Sequence, residues 1–563
     1  MSLTKVTPAL TGEYKTVGAL LASTEASRGV GAIWEAGGFR YTEVAASGDI
    51  TTAGSIQLDV LASASGEVVP EQWGAVGDNS TDVTTKIQAA ITYAVANGVT
   101  LKFNKLASGA SSLYKISTVL SITGAINIEG HGRGYSGIVC VGCSGFLISA
   151  GANFVNISGI GIFQSVRHTV TPNAYKAIET QGTTGSRNFW HTYDNIFIDG
   201  FHTAFFVSYL WSTQITNINT VFGMNGIHSV GLSVNNNVTN CQFSGDSSVG
   251  SVGIRIGDGT ISTEGWMITD NLFAFFEVGA WAYGCSNSHL KGNIIDFFAK
   301  RGVLLQSTAT AGATNWNISD NYMACSGTGS TGVFLLNNYA AGSAGYRGTV
   351  LHGNDILAYS GSTLAFGIVQ EGTEEINNSI TSNKVDALGG VACKIIAGVG
   401  TVVSNNTWKT GIFTALVAGQ YLNNTGVSSG VYPHSEGSFV PTIIGTSAAG
   451  VGTYSAQVGR FKIVDNMVFF DAELTWSAHT GTGAMKVSLG NLPTSLNLAN
   501  YFPAITVFAE NIVFPGATTQ IQGGINASTR NVELRATGNG IGPTAVAMDS
   551  AGRINVSGFY EIA

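Results

Sequence analysis

Charge is scarce in this 563-residue chain. Asp, Glu, Lys and Arg together make 11% of it, with a formal net charge of −8. An ordinary globular domain carries roughly 25%. The 26 Lys and Arg residues form no block, which leaves no electrostatic footprint for nucleic acid. Proline is limited to 9 residues, too few for a Pro-rich linker chain. The opening "MSLTKVTPAL" lacks the apolar core of a secretory signal, so work outside a cell would need another exit. No apolar run reaches the roughly 20 residues that span a bilayer, and membrane insertion is not expected. The six cysteines hold one lone C-x-x-C, Cys140 and Cys143. A zinc site needs a second ligand pair at matched spacing, so the thiols are read as free and buried, with no metal or other cofactor. H-E-x-x-H, Walker and nucleophile-elbow motifs are all missing. "GRGYSG", Gly132–Gly137, fits G-x-G-x-x-G but precedes a strand pattern, not the helix a dinucleotide site requires.

What is abundant is glycine, 74 residues, in a chain that is 44% hydrophobic. Many turns with a large apolar content and little proline point to repetitive β structure. A weakly acidic, mostly neutral surface suits a ligand such as a sugar chain.

Residues 16–66 read as a small mixed unit. "TVGALLAS" has helical spacing and "GGFRYTEVA" alternates as a strand does. In "EQWGAVGDNSTDVTTKIQAAI", Gly74, Gly77 and Asn79 are turn formers. Thr81 and Asp82 suit a helix N-terminus. Val83, Ile87, Ala90, Ile91, Ala94 and Val95 then make one apolar face. Asn97-Gly98 closes the helix, and "VTLKF" follows as a strand. Asp78 and Asp82 are therefore read as turn and cap residues, not as catalytic ones.

From Ile126 short apolar strands end in Asn or Gly turns. The anchors Asp194, Asn217, Asn240, Asp270, Gly292, Asp320, Gly353, Ser382 and Asn405 recur 22 to 33 residues apart. Three short strands and their turns fill the shorter gaps, which is one coil of a parallel β-helix. A propeller blade needs about 40 residues. The residue after most anchors is Asn: Asn195, Asn271, Asn293, Asn321, Asn354, Asn383 and Asn406. Stacked at about 4.8 Å, these amides can bond from coil to coil. Near residue 427 a polar Pro/Gly hinge begins. Longer alternating strands follow, such as "RFKIVDNMVFFDAELTW", and read as an antiparallel sandwich.

The run "WGAVGDNSTDVTTKIQAAI", then "LYKIST" and "INIEGHGRG", resembles the opening of pectate-lyase-like right-handed β-helix proteins, and of phage tailspike depolymerases in particular. Asn79 and Val83 stand where that group usually has Gly and Asp. "AIWEAGGFRYTEV" and "GTYSAQVGRFKIVDNMVFFDAELTW" are similar to the small N-terminal unit and the C-terminal sandwich of such spikes. The resemblance implies a homotrimeric virion component at a phage tail that binds, and usually cuts, capsule or O-antigen. It implies residues 1–15 as an attachment peptide for another tail protein and 16–66 as the N-terminal domain. Residues 67–427 are then the β-helix with the polysaccharide site, and 428–563 a sandwich for trimerisation or sugar binding.

Hydrolysis of a glycosidic bond needs two carboxyl groups roughly 5 to 9.5 Å apart, which neighbouring coils can supply. Counting from the anchors, positions +3 and +5 are mostly apolar and read as inward, so +4 faces out. Asp199, at +5 of its anchor, breaks that rule, while Asp296 obeys it at +4. The catalytic candidates are Glu264, Glu277 and Asp296, with Asp246 and Asp258 behind them. One would protonate the leaving oxygen and another activate water or attack. Trp266, Trp281, Tyr283 and Trp211 supply flat faces for sugar rings, and Lys300 and Arg301 suit an acidic sugar. A lyase acting on a uronate, with a base such as Lys291, Lys300 or Arg301, and a spike that holds sugar without cutting it both stay open.

Overall fold

The computed structural model describes residues 13–561 apart from 106–110, 170–173, 309, 337–347, 372–376, 397–399, 416–419, 423, 429–433, 465–466, 491, 493–503 and 527–528. The expected attachment peptide, residues 1–15, lies almost wholly outside the described residues. Two compact units divide the chain, the second comprising residues 429–563 and two short preceding segments.

The first unit opens with a five-stranded mixed sheet. Glu13–Tyr14 runs parallel to Ile33–Ala36, and the remaining pairs are antiparallel. Val17–Leu21 is a short helix capped by the Thr16 hydroxyl, which accepts from the Ala19 N–H. Trp34, Tyr41 and Leu58 are its fully buried core. A helix then spans Thr84–Asn97, buries Ile87, Ala90, Ile91 and Ala94, and ends on Gly98 at φ 64°. Its N-cap is Val83, whose side chain makes no capping bond. Asp82 instead accepts from the Thr84 N–H and hydroxyl. Asp78 turns the chain by accepting from the Ser80 and Thr81 N–H groups. Those bonds hold its carboxyl well below the ordinary carboxylate range.

Beyond this entry the chain winds as a parallel β-helix with three long faces. One coil lays Thr192–Asp194 on face A, Phe197–Asp199 on face B and Thr203–Ser208 on face C. The next coil lays Gln214–Thr216, Asn219–Gly223 and Asn225–Val230 beside them in parallel register. Inside face A, Ile215, Val238, Ile268, Leu290, Ile318, Leu351 and Ile380 form one fully buried column. Within the strands of face C runs a column of glycines: Gly226, Gly253, Gly279, Gly302, Gly332 and Gly367. A Cβ on Gly253 would stand 2.4 Å from the carbonyl oxygen of Gly279, and one on Gly226 2.3 Å from that of Gly253. These six glycines serve coil-to-coil contact, while 28 others among the described residues hold a positive φ.

The repeat is real, with one correction to its register. Asn217, Asn240, Asp270, Gly292, Asp320, Gly353, Ser382 and Asn405 all occupy the left-handed corner between faces A and B. In the first coil that corner belongs to Asn195, at φ 51°, and not to Asp194. Alternation from the true corner turns Phe197 outward and half-exposed, and buries Ile196 and Ile198. Asp199 then faces outward as Asp296 does and is no exception. Nor are Phe275 and Phe297, at +5, inward: both stand in a second left-handed corner, between faces B and C.

The buried asparagines form a ladder. Asn271, Asn293, Asn321, Asn354 and Asn383 each pass an Nδ2–H to the Oδ1 of the next, at 2.8 to 3.0 Å, and Asn406 ends the series. The second amide proton goes to a main-chain carbonyl, Val238 for Asn271 and Leu290 for Asn321. The side-chain amides from Asn271 to Asn383 thus bond to protein on both their nitrogen and their oxygen, which is what allows burial of an amide column. Asn195 is not a member, because Ile196 takes the ladder position in that coil. All six cysteines are free and buried.

The second unit holds an antiparallel ten-stranded sheet curled on itself. Ala504–Glu510 joins its halves: Thr506–Glu510 pairs with Gly552–Glu561, while Ala504 and Ile505 pair with Gln520–Asn526. Phe470, Leu474, Trp476, Val532, Leu534, Ile554 and Val556 fill the fold of the curl.

Candidate functional site

The outward acids gather where face B turns into face C. On one coil Leu272–Ala274 leads through Phe275, Phe276 and Glu277 into Val278–Tyr283. On the next, Ile294–Phe298 leads into Arg301–Gln306. Ala274 is in register with Asp296, and Val278 with Arg301. The main-chain carbonyl of Glu277 receives both the Lys300 and the Arg301 N–H. Its carboxylate accepts from Lys300 Nζ at 2.9 Å and from the Gly250 N–H. Burial opposes the charge on Glu277, but those two donors and the nearby Arg301 outweigh it, so the carboxyl sits below its ordinary range.

Asp296 Oδ1 accepts from its neighbour Phe297 N–H at 3.1 Å and from the Tyr359 hydroxyl at 2.7 Å. Tyr359 reaches back two coils, past a corner that holds only Ser326 and Gly327. Burial, and then hydrogen bonding to Tyr322 and Asp296, puts its phenol well above the ordinary range. Asp246, one coil before Glu277, accepts from the Ser248 N–H, and the next residue, Ser247, donates to the Phe275 carbonyl. Asp246, Glu277 and Asp296 thus mark three successive coils at one corner.

Aromatic rings line the same corner. Phe275 stacks on Phe297 at 4.9 Å and 11°, and Phe297 on Tyr359 at 4.8 Å and 22°. Phe275 is 43% exposed. Both phenylalanines hold a positive φ, 62° and 52°, a conformation that costs a side-chain-bearing residue about 1–2 kcal/mol. A fold that needed only the turn would place Gly or Asn there, as the A/B corner does. Phe222 repeats the feature at φ 58°. Arg167 lies 4.2 Å above its ring and forks onto Asp199 at 2.8 and 2.9 Å. The sequence signal for these residues was an aromatic directly after an outward position. The inward reading of +5 concealed it.

Face C continues from this corner. Trp281 is half-buried and stacks on Tyr283 at 5.6 Å. Arg255, in register with Trp281 on the preceding coil, lies 4.4 Å above the indole. Val252, Val278 and Leu304 are buried around Trp281 and Phe334.

The remaining candidates stand at the far end of face C. Glu264 pairs in register with Ser286, beyond Tyr283, so roughly 20 Å of strand separates it from Glu277. Its carboxylate ends an exposed chain of amides, accepting from Asn287, which in turn accepts from Asn315. Asp258 is occupied by the N–H groups of Gly231 and Thr260 and by the Thr260 hydroxyl. Burial opposes its charge and these donors overcome it, leaving the carboxyl below its ordinary range. Trp266 is fully buried, and its indole N–H goes to the Ser233 carbonyl. Its face is closed to a ligand, which corrects the expectation that it binds sugar. Strand alternation from Met267 puts it inside. Trp211 donates to the Leu232 carbonyl beneath Arg187 at 4.4 Å. Among the described residues no group of three or more His, Cys, Asp or Glu could hold a metal ion.

No protein-family model matches this sequence, and no curated protein matches it. Solved structures match the fold. A double-mutant tailspike protein of E. coli bacteriophage HK620 is 10% identical, with TM-score 0.51, across 95% of this chain and 98% of that one. The HK620 tailspike in complex with a pentasaccharide is 11% identical, with TM-score 0.49, over the same shares. The Dettilon tailspike protein is 16% identical, with TM-score 0.42, across 88% of this chain and 94% of that one. The chain has the β-helix fold of phage tailspike proteins.

Proposed function

We propose that this chain is a phage tailspike that binds a bacterial surface polysaccharide, capsule or O-antigen, and depolymerises it by endo-glycosidic hydrolysis. The observation that carries the reading is the corner between faces B and C. Two outward carboxylates on adjacent coils, Glu277 and Asp296, stand beside a stack of one exposed and two half-buried aromatic rings, Phe275, Phe297 and Tyr359, of which the two phenylalanines hold a costly backbone conformation. One coil step is about 4.8 Å, and Asp296, in register with Ala274, stands three residues before the level of Glu277, so the two side chains would flank a glycosidic bond laid across the corner. In this reading Glu277 stays ionised and acts as base or nucleophile. Asp296 delivers the proton, with Tyr359 fixing its orientation. Asp246 extends the acidic edge by one coil. In this reading the protein works as a homotrimer in the virion tail, docked on another tail protein through its N-terminus.

One observation favours a second reading, a spike that holds sugar without cutting it. Both carboxylates are engaged, Glu277 by Lys300 and Asp296 by Tyr359, and the donors to Glu277 hold it ionised. Incubation with purified capsules and O-antigens from several strains separates the readings. Chain length is followed by size exclusion, together with the ultraviolet absorbance of unsaturated uronates. Shortening without new absorbance supports hydrolysis, and shortening with it means a lyase. Binding without shortening leaves the receptor-binding spike.

A further inference from the structure

Face C carries guanidinium groups without counter-ions. Arg255 makes no hydrogen bond or ion pair among the described residues, and its Nε is buried without a partner. It lies over Trp281 at 4.4 Å and within 5.9 Å of the Tyr283 ring centre. The Nε1 of Trp281 is likewise buried and unpartnered. Two coils on, Arg301 lies 5.0 Å over the Phe334 ring and also makes no ion pair among the described residues. Of the acids nearby, Glu371 attracts Arg301 without pairing with it, and the oxygens of three others are committed elsewhere. Glu277 is held by Lys300 and the Gly250 N–H. The Gly231 and Thr260 donors hold Asp258. Glu179 pairs with Lys176 at 2.8 Å. In a chain of net charge −8, this face keeps these two guanidinium groups unpaired and stacked on rings. Stacking on aromatic planes fixes the fork of each guanidinium. A partly buried cation with an unmet donor is costly until an anion arrives.

From this arrangement we propose that face C selects an anionic polysaccharide, with Arg255 and Arg301 receiving acidic groups of the chain and Trp281 packing on a sugar ring between them. The proposal rests on the polysaccharide reading above and names its substrate class. The two arginines are two coil steps apart along the axis and three residues apart across face C, about 14 Å in all, a span that one glycan chain running obliquely over the face can cover. Lys300, expected to serve an acidic sugar, is neutralised by Glu277, and Arg255 takes that role.

The test is binding of immobilised full-length protein to purified uronate-bearing capsules, phosphate-bearing capsules and neutral O-antigens. The uronate capsules are also tested after reduction of their carboxylates to alcohols, and the phosphate capsules after dephosphorylation. The expected ligand is anionic, and removal of its charge weakens binding about 10- to 100-fold, the worth of a charge-assisted pair. Arg255→Gln and Arg301→Gln should each weaken binding of the parent glycan and leave the neutralised glycan unaffected, with unchanged thermal unfolding as the fold control. The two neutralisations distinguish carboxylate from phosphate. A neutral O-antigen as the best ligand, or variants that keep the wild-type ratio of parent to neutralised glycan, overturns the anionic assignment and leaves the polysaccharide reading standing. Failure to bind any glycan overturns both.

Discussion

Removing one rung of the buried amide ladder should weaken the whole β-helix. In Asn321→Ala, four hydrogen bonds vanish. Asn321 Nδ2 no longer reaches Asn354 Oδ1 at 2.9 Å or the Leu290 carbonyl at 2.8 Å. Its Oδ1 no longer receives the Asn293 main-chain N–H at 2.9 Å or the Asn293 amide at 3.0 Å. Asn293 Nδ2 keeps the Ile268 and Lys291 carbonyls, and Asn354 Oδ1 keeps the Asn321 N–H. The net loss falls on the Asn293 N–H and the Leu290 carbonyl. At about 1–3 kcal/mol for each buried group left without its bond, the cost is roughly 2–6 kcal/mol. A chain of this size calls for a rate, not an equilibrium midpoint, so the assay is the rate of unfolding in guanidinium. Amide exchange at Asn293 would be measured alongside. Asn195→Gly is the matched control: it sits in a left-handed corner, outside the ladder, where glycine is at ease. Unfolding of Asn321→Ala at the wild-type rate, or a larger effect from Asn195→Gly, would refute both the ladder argument and the corrected register.

Glu277→Gln and Asp296→Asn should each lower the rate of reducing-end release by about 100- to 10,000-fold with glycan binding retained; cutting at the wild-type rate by both would dismiss the pair. Glu264→Gln should leave that rate unchanged, because the far end of face C lies outside reach of the corner, and a loss comparable to Glu277→Gln would move the site. Phe275→Ala should weaken glycan binding roughly 3- to 10-fold, the worth of one ring contact, read by titration at constant fold. His228 is held neutral by burial and by the nearby Arg255, its pKa pushed down to about 4. The unfolded chain therefore binds more protons between about pH 6.5 and 4, and stability falls as pH drops through that window. His228→Gln should flatten the pH dependence of the unfolding rate there; an unchanged slope would locate the acid sensitivity elsewhere.

The repeat was legible in the sequence because each coil must solve the same local problem. A left-handed corner needs Asn, Asp, Ser or Gly, and a buried corner amide needs another amide above and below it. Those demands fall on single positions, so they print a period. The entry helix, its Gly98 cap and the turn role of Asp78 were legible for the same reason. The register of the first coil was misread because Asp194-Asn195 satisfies the corner pattern one residue early. That slip hid Phe197 and Asp199, and the expectation of apolar residues inside at +5 hid Phe275 and Phe297. Sequence alone could rank Glu264 with Glu277, since both are acids near aromatics. Only the coils decided that a whole strand of face C separates them, and that Trp266 points inward. Ion pairing was equally beyond the sequence: Lys300 and Arg255 are both cations in apolar surroundings, and three-dimensional proximity alone gave one a carboxylate and the other a tryptophan face. Local backbone demands are written residue by residue, whereas a site on a solenoid is assembled from different coils by stacking, and its partners leave no trace in spacing.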